Sequence, residues 1–173
     1  QIIERNAFSD SKIQEIFIPP NVSKICENAF YNCRDLEKVK IPTNSNLQII
    51  ERNAFQTTKI KEIFIPQNVS QICNGAFSEC FNLTKVEIPT NSNLQIIEAN
   101  AFSNSKIEEI YFPKSLKELK DGWRCNTEHL KKVIISPSNG QFMVKDDKYL
   151  VCKSDKNSDE FDILLFVNRD VKE

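Results

Sequence analysis

Six cysteines and one histidine are the residues of this chain that nucleophilic or metal chemistry would need. His129 lies in Thr-Glu-His-Leu with no second histidine in the chain, so the sequence offers no nucleophile and base around it. No two cysteines have the Cys-x₂-Cys spacing that is typical of a zinc site. We therefore expect a chain that is not an enzyme, with no catalytic, cofactor-binding or metal-binding residues and no cofactor.

Four of the cysteines form two equivalent pairs, Cys26 with Cys73 and Cys33 with Cys80, each separated by 47 residues. If these are like positions two coils apart in a parallel stack, their separation is about 9–10 Å. A disulfide needs Cα atoms within about 7 Å, so we expect the equivalent pairs to remain unbridged thiols. Carboxylates at the same repeat position also disfavour the thiolate of Cys26 and Cys73.

Three Asn-x-Ser/Thr sequences could accept a glycan in a secreted eukaryotic protein: Asn21, Asn68 and Asn82. All three fall in turn-rich segments, where we expect exposure. The alternative is that such triplets arise easily in repeats rich in asparagine and serine, and two of the three are copies of each other. The sequence leaves both interpretations open.

These residues are positioned by a repeat that ends in Ala-Phe and recurs five times. The phenylalanines step by 22, 25, 22 and 25 residues: Phe8, Phe30, Phe55, Phe77 and Phe102. A period of this size predicts a solenoid, because one unit cannot bury its apolar face without its neighbours. We expect each Ala-Phe segment to form a short helical turn and the phenylalanines to stack into one internal spine.

A second phrase lies between successive Ala-Phe pairs and usually ends in proline, as in Ile60-Lys-Glu-Ile-Phe-Ile-Pro66. Its apolar and polar residues alternate with period two, which predicts a half-buried strand. The proline ends the strand, since it cannot donate to a ladder. Every unit runs the same way, so the strands should be parallel.

The repeat frays after residue 113. Trp123 takes the place of the phenylalanine, and two later segments, Phe142 to Cys152 and Phe161 to Val167, are predicted to be a pair of hairpin strands. We expect residues 1–136 to be the repeat array, truncated at its N-terminal end, and residues 137–173 to be a variant hairpin or capping element of the same solenoid.

The composition argues against several classes of partner. The chain has 23 basic and 24 acidic residues, a net charge of −1, which does not favour nucleic acid. It contains no run of about 18 apolar residues, so we expect no membrane span within it.

One outward position of each strand is the best candidate for ligand contact. Aromatics recur there on every second strand, and the candidate residues are Phe17, Lys40, Phe64, Glu87 and Tyr111. Exposed aromatics give a large contact area at low entropic cost, as binding surfaces require. The alternative is that they reflect β propensity and cover their neighbours.

A second outward position alternates acid and base from strand to strand. Its residues are Glu15, Lys38, Glu62, Lys85, Glu109 and Lys132. A parallel stack turns this alternation into a ladder of opposite charges, which we interpret as structural because it cancels any net field.

The two phrases together resemble the BspA-like leucine-rich repeat family. Residues 60–66, 69–77 and Cys80 match its strand, its Ala-Phe segment and its cysteine turn, and the resemblance covers about residues 1–113 well and the remainder loosely. Alternate turns depart from it by lacking the cysteine. The resemblance implies an α/β leucine-rich repeat solenoid, a right-handed horseshoe with parallel strands on its concave face.

The resemblance also implies a function. Family members are surface-exposed or secreted adhesins, so the expected function is non-enzymatic binding of a protein on host cells, in extracellular matrix or on other microbes. The alternative is an intracellular scaffold of the same fold. A cell-surface or secreted location, in a longer protein, is the expectation that follows from the first of these.

Overall fold

The computed structural model describes residues 1–155, 157 and 160–167, and the described residues form fifteen strands and no helix. Each turn of the solenoid, here called a coil, contains one two-residue strand and one longer strand. The two-residue strands are β1 (Ile2–Ile3), β3 (Lys24–Ile25), β5 (Ile49–Ile50), β7 (Gln71–Ile72), β9 (Ile96–Ile97) and β11 (Glu118–Leu119). The longer ones are β2 (Glu15–Phe17), β4 (Lys38–Lys40), β6 (Glu62–Phe64), β8 (Lys85–Glu87), β10 (Glu109–Phe112) and β12 (Lys132–Ile135).

The two-residue strands form one continuous sheet, here called the short-strand sheet. All of its pairs are parallel and in register, and its order is β1-β3-β5-β7-β9-β11. The prediction of a parallel solenoid is therefore confirmed. Parallel pairing in register stacks equivalent side chains directly above one another.

The longer strands, here called the long-strand row, pair only in twos: β2 with β4, β6 with β8, and β10 with β12. Two coils joined in this way form a doublet, which corresponds to the 47-residue repeat of the sequence. No ladder joins β4 to β6 or β8 to β10. We call these two places the doublet junctions; each lies where the chain makes its longer crossing, at residues 43–47 and 90–94.

The predicted helical turns are wrong, and the solenoid is all-β rather than α/β. The Ala-Phe segments are successive tight turns in which alternate N–H groups bond to the next coil, as Phe8 N–H does to Ala29 O at 2.8 Å. The intervening N–H groups bond three residues back, as Ser9 does to Asn6. A residue with positive φ also recurs every four residues or so, such as Asn28 (57°) and Asn32 (58°), and ends any helix before its first full turn.

The predicted phenylalanine spine is confirmed. The five rings stack nearly parallel, with centroids 5.0–5.5 Å apart and interplanar angles of 1–4°. Trp123 continues the column as an edge contact on Phe102, at 6.4 Å and 90°. Phe30, Phe55, Phe77 and Phe102 are fully buried. The spine therefore runs through every coil of the array, including both doublet junctions.

The chain after the array forms three antiparallel strands rather than the predicted pair: β13 (Phe142–Lys145), β14 (Tyr149–Cys152) and β15 (Ile163–Val167). The segment from Phe142 to Cys152, predicted as one strand, turns at Asp146 and Asp147, which both have positive φ. Phe142, Leu150 and Phe166 are buried in the same core as the array. The predicted element 137–173 also includes residues 156, 158, 159 and 168–173, which lie outside the described residues.

Asn139 joins the array to this antiparallel sheet. Its buried Nδ2 donates to Pro113 O at 2.9 Å and to Leu116 O at 3.0 Å. Its Oδ1 accepts from the N–H groups of Gln141 and Phe142, both at 2.8 Å. One side chain thus satisfies two carbonyls of the array and two amides at the start of β13.

Candidate functional site

The long-strand row exposes the residues that the sequence pointed outward. In β4 and β8 the first and third residues are exposed and the middle one is buried, as period-two alternation requires. Phe17 is the most exposed aromatic of the row, at 56 %, while Phe64 and Tyr111 are half-buried. Lys40 and Glu87, the other two candidate residues, are exposed. All five lie on one face, and their role in ligand contact stays a prediction.

A cleft of about 300 Å³ opens at the first doublet junction, between β4 and β6. Its walls include four of the five candidate residues, Phe17, Lys40, Phe64 and Glu87. The remaining lining residues are Val39, Ile41, Pro42, Glu62, Ile63 and Lys85. The cleft therefore combines two aromatic rings, an aliphatic floor and charged side chains, a composition suited to a side chain of a protein partner.

Backbone groups also face this cleft. Lys38 and Lys40 bond toward β2, since Lys38 N–H donates to Gln14 O and Lys40 O accepts from Ile18 N–H. The intervening Val39 directs its N–H and C=O toward β6. On the other wall, the N–H and C=O of Phe64 point toward β4, because backbone groups alternate in direction along a strand and Lys61 O and Ile65 N–H bond toward β8. Within the described residues, the backbone bond across this junction is the one from Lys59 N–H to Leu36 O, at the entrance to the strands.

The charged residues of the row are arranged differently from the predicted ladder. The predicted register is confirmed, with Glu15 opposite Lys38, Glu62 opposite Lys85 and Glu109 opposite Lys132. The ion pairs are offset from it: Glu15 pairs with Lys40, and Lys85 pairs with Glu87 at 3.2 Å. The hydrogen bond from Lys40 lowers the pKa of Glu15, and the charges of Lys40 and Lys38 lower it further.

Glu62 is the carboxylate of the cleft that takes no part in these ion pairs. Lys40 and Lys85, the two lysines of the cleft, are engaged by Glu15 and Glu87. In the part of the chain that the structure describes, Glu62 has no ion pair. The charged lining residues, Lys40, Lys85, Glu62 and Glu87, balance one another, and within the described residues Glu62 is the one of the four without an ion pair.

The second doublet junction, between β8 and β10, repeats part of this arrangement. Glu109 and Tyr111 occupy on β10 the places that Glu62 and Phe64 occupy on β6. Among the described residues Glu109 likewise has no ion pair. Glu87 of β8 stands where the first junction has Lys40, so the second junction is the more acidic of the two.

The opposite side of each junction is fastened by a carboxylate. Glu51 accepts from Lys24 Nζ at 3.0 Å and from Glu27 N–H at 2.9 Å, and so joins the second coil to the third. Glu98 accepts from Gln71 Nε2 at 2.6 Å and Asn74 N–H at 2.8 Å, joining the fourth coil to the fifth. From the sequence, these glutamates were recognised only as carboxylates at the repeat position of Cys26 and Cys73, and their bonds to the preceding coil were not predicted. Their recurrence after 47 residues was the available signal.

All six cysteines are free thiols, and those with shifted pKa values are poor nucleophiles. Burial, followed by the charges of Glu98 and Glu51, raises the pKa of Cys73 to about 12. Burial raises the pKa of Cys80 to about 11, and its Sγ donates to Phe55 O at 3.2 Å. Burial likewise raises the pKa of Cys26, with Glu51 as the next cause. These three thiols are therefore packing residues of the fold and not reactive groups.

The three candidate glycosylation residues, Asn21, Asn68 and Asn82, are all exposed. Asn68 Nδ2 donates to Ser45 O at 2.9 Å, so a glycan there would have to share this amide with a neighbouring coil. Asn82 lies just before β8, on the edge of the array next to the exposed Phe81. Their modification stays a prediction.

A larger cavity, of about 710 Å³, lies between β12 and β13, where the array meets the antiparallel sheet. Its walls include Lys132, Ile135, Phe142 and Met143. Sequence reasoning missed it, although the loss of the terminal proline at Ser136 marks the place where the strand pattern changes. The described residues contain no cluster of three potential metal ligands and no helix that could cross a membrane.

A family model described as BspA type leucine rich repeat region matches residues 1–139 in six copies. No curated protein sequence matches the chain. Among solved structures, the pneumococcal vaccine antigen PcpA is 28 % identical with a TM-score of 0.80, over 88 % of this chain and 40 % of that one. The leucine-rich repeat protein of T. pallidum is 25 % identical with a TM-score of 0.65, over 71 % and 59 %.

A leucine-rich cell surface protein of Faecalibacterium prausnitzii has the same fold, with a TM-score of 0.63 at 24 % identity, over 87 % of this chain and 46 % of that one. This chain therefore spans about two fifths to three fifths of the length of these three solved structures.

Proposed function

This chain belongs to the BspA type leucine-rich repeat family, and we propose that it is a non-enzymatic module that binds a protein partner at a cell surface. The observation that carries the proposal is the cleft at the first doublet junction, where Phe17, Phe64, Lys40 and Glu87 come together on an exposed face. Large rings on a rigid strand scaffold lose little entropy on binding, so they suit an interface.

The surface location draws support from two of the similar structures. One is a pneumococcal vaccine antigen and another is a leucine-rich cell surface protein. We propose that the present chain is likewise exposed or secreted, as part of an adhesin that recognises host cells, extracellular matrix or other microbes. Its balanced charge fits a protein partner better than a nucleic acid.

The test is binding of the purified chain to host epithelial cells and to matrix proteins, compared with a Phe17→Ala, Phe64→Ala, Tyr111→Ala triple variant. The matched control is Phe81→Ala, which removes an aromatic of similar exposure (54 %) outside the long-strand row. Circular dichroism and thermal unfolding establish that each variant is folded. The proposal expects binding by the parent chain and by the control, and loss of binding in the triple variant.

Two outcomes would contradict this assignment. Equal binding by a folded triple variant would move the contact to another face of the solenoid. Absence of binding by the parent chain to every cell and matrix preparation would remove adhesion as its function.

The second candidate, an intracellular protein-interaction scaffold, is favoured by one observation: the six cysteines are all free thiols. Unpaired thiols are usual in reducing compartments. Fractionation of the source cells, with mass spectrometry of the native protein, separates the two candidates. Glycans at Asn21, Asn68 or Asn82, or surface labelling of the intact cell, would exclude the scaffold, whereas purely cytosolic recovery would exclude the adhesin.

A further inference from the structure

We propose that the doublet junctions of the long-strand row take basic side chains, and that the preferred ligand is an extended polyproline II segment with a basic residue at every third position. The inference rests on the proposed protein-binding function and specifies its ligand. Its support is the charge left at each junction, the aromatic residues beside that charge, and the spacing between the two junctions.

The first step is that, among the described residues, the ion pairs of the first cleft leave one carboxylate without a partner. Both lysines of the first cleft are held by carboxylates, Lys40 by Glu15 and Lys85 by Glu87, so the Glu62 carboxylate is the group that an incoming charge can pair with. A cation entering there makes a new ion pair without breaking an existing one. An anion would have to compete with carboxylates for the two lysines that line the cleft, and Lys38, at the start of β4, lies outside that lining. The cleft itself therefore favours a basic ligand group.

The second step is the aromatic wall. Phe17 and Phe64 both line the cleft that contains Glu62. A guanidinium or ammonium group is attracted to an aromatic face as well as to a carboxylate, and arginine can use both at once through its planar fork. The aliphatic stem of such a side chain would lie along Val39 and Ile63, which form the apolar floor.

The third step is the repetition. The second junction offers the same pair of groups, Glu109 and Tyr111, at the strand positions of Glu62 and Phe64. Glu87 replaces Lys40 at its other wall, which makes a cation still more favourable. Two junctions with the same preference predict a ligand that is itself repetitive.

The spacing identifies the conformation of that ligand. Equivalent positions of the two junctions are two coils apart, about 10 Å at the spacing of parallel strands. A polyproline II helix returns to the same face every three residues and rises about 9 Å over that length. A fully extended β-strand presents the same face every second residue, about 7 Å apart, and so does not match.

The experiment measures binding of fluorescent synthetic peptides to the full chain by anisotropy. The probe consists of four Pro-Pro-Arg units, and its controls carry citrulline in place of arginine, or arginine at every fourth position. The variants are Glu62→Gln, Glu109→Gln and both together. Glu4→Gln makes the same change of charge at an exposed position beside the short-strand sheet.

We expect the Pro-Pro-Arg probe to bind, with about a threefold loss of affinity for each of the two junction substitutions and about tenfold for the pair. Glu4→Gln should leave the affinity unchanged, and the citrulline peptide should not bind. Failure of the probe to bind, equal binding of the citrulline peptide, or equal losses from Glu4→Gln would overturn the proposal. Equal binding of the peptide with arginine at every fourth position would overturn the polyproline II register.

The cell and matrix assay separates this inference from the function on which it rests. If the triple aromatic variant loses cell or matrix binding while the peptide probe fails, the protein-binding face stands and the basic-ligand proposal falls. If the triple variant binds cells and matrix normally, the long-strand row is not the contact face for cells and matrix, and the proposed function falls whatever the peptide result.

Discussion

The short-strand sheet is continuous across all six coils, whereas the long-strand row is interrupted at both doublet junctions. We call the side of the short-strand sheet the closed side and the side of the long-strand row the open side. On the closed side, the Ala-Phe turns of neighbouring coils are hydrogen-bonded throughout. Phe30 N–H donates to Ala54 O at 2.8 Å at a doublet junction, the same length as the bond from Phe8 N–H to Ala29 O within a doublet. On the open side the pairing stops at Lys40 and resumes at Glu62. The array thus places its continuous bonding on one side and its clefts on the other.

This difference shows how a repeat protein can offer clefts without losing its integrity. The stacked phenylalanines and the carboxylates of Glu51 and Glu98 lie where they can hold neighbouring doublets together. The long-strand row therefore does not need to join the coils at the doublet junctions. Substitutions on the closed side should consequently affect stability, and substitutions on the open side should affect binding.

The largest expected effect is on the spine. Phe55→Ala removes a fully buried ring stacked between Phe30 and Phe77, and we expect a loss of about 3–5 kcal/mol in the free energy of unfolding. Phe81→Ala, at an exposed position, should change it by no more than about 0.5 kcal/mol. Urea denaturation followed by circular dichroism measures both. Similar midpoints for the two variants would contradict the role of the spine.

The next effect concerns Gly75, which has φ of +65° and lies against Asn53 Oδ1. A Cβ at Gly75 would approach that oxygen to 2.5 Å, so Gly75→Ala combines backbone strain with a clash and should cost about 2–3 kcal/mol. Gly122→Ala has similar φ but 3.8 Å of room, and should cost about 1–2 kcal/mol. Adding Asn53→Ala to Gly75→Ala should recover the difference. Equal thermal shifts for the two glycine variants would exclude the clash.

A smaller effect tests the carboxylates that fasten the closed side. Glu51→Ala leaves Glu27 N–H and Lys24 without their partner, and we expect about 1–2 kcal/mol of destabilisation. Glu51→Gln keeps an acceptor for the amide and should cost less. Glu37→Ala, which breaks an exposed pair with Lys61 at 2.8 Å on the open side, should be nearly neutral. A larger loss from Glu37→Ala than from Glu51→Ala would reverse the comparison.

The smallest effect is on thiol reactivity. Burial and nearby carboxylates raise the pKa of Cys73 to about 12, so at about pH 8.5 it should react with iodoacetamide far more slowly than an unfolded cysteine. Cys125, which is exposed, should react first. Because the folded pKa exceeds the unfolded one, this group's contribution to stability is present below about pH 9 and declines as the pH rises toward 12. Mass spectrometry after timed alkylation would show early labelling of Cys73 if this were wrong.

Much of the fold could be predicted because each repeat contains two recognisable segments, the Ala-Phe segment and the strand that usually ends in proline. The alternation in Ile60 to Pro66 identified a strand, and the spacing of the phenylalanines identified the stack. The helical turns were predicted wrongly because asparagine before Ala-Phe was not recognised as a residue that adopts positive φ, as Asn28 and Asn53 do. The third C-terminal strand was missed because Asp146 and Asp147 were not recognised as a turn.

The candidate site could be predicted only in part. Period-two alternation shows that Phe17 and Phe64 point outward, since that depends on the strand alone. The cleft between them depends on which coils pair, and strands β4 and β6 have the same pattern as strands β2 and β4 that do pair. The unequal steps of 22 and 25 residues were the sequence signal of the doublet, but they do not reveal which side opens.

The most direct test is amide hydrogen exchange by NMR at Phe64, the last residue of β6, and at Ile65, which follows it. Ile65 N–H donates to Glu87 O at 2.9 Å inside a doublet, whereas Phe64 N–H faces the cleft. An open junction predicts strong protection of Ile65 and fast exchange of Phe64, while Cys73 N–H, bonded to Ile50 O on the closed side, is protected. Equal protection of Phe64 and Ile65 would show that β4 and β6 are paired, and would contradict the open junction on which the proposed binding face depends.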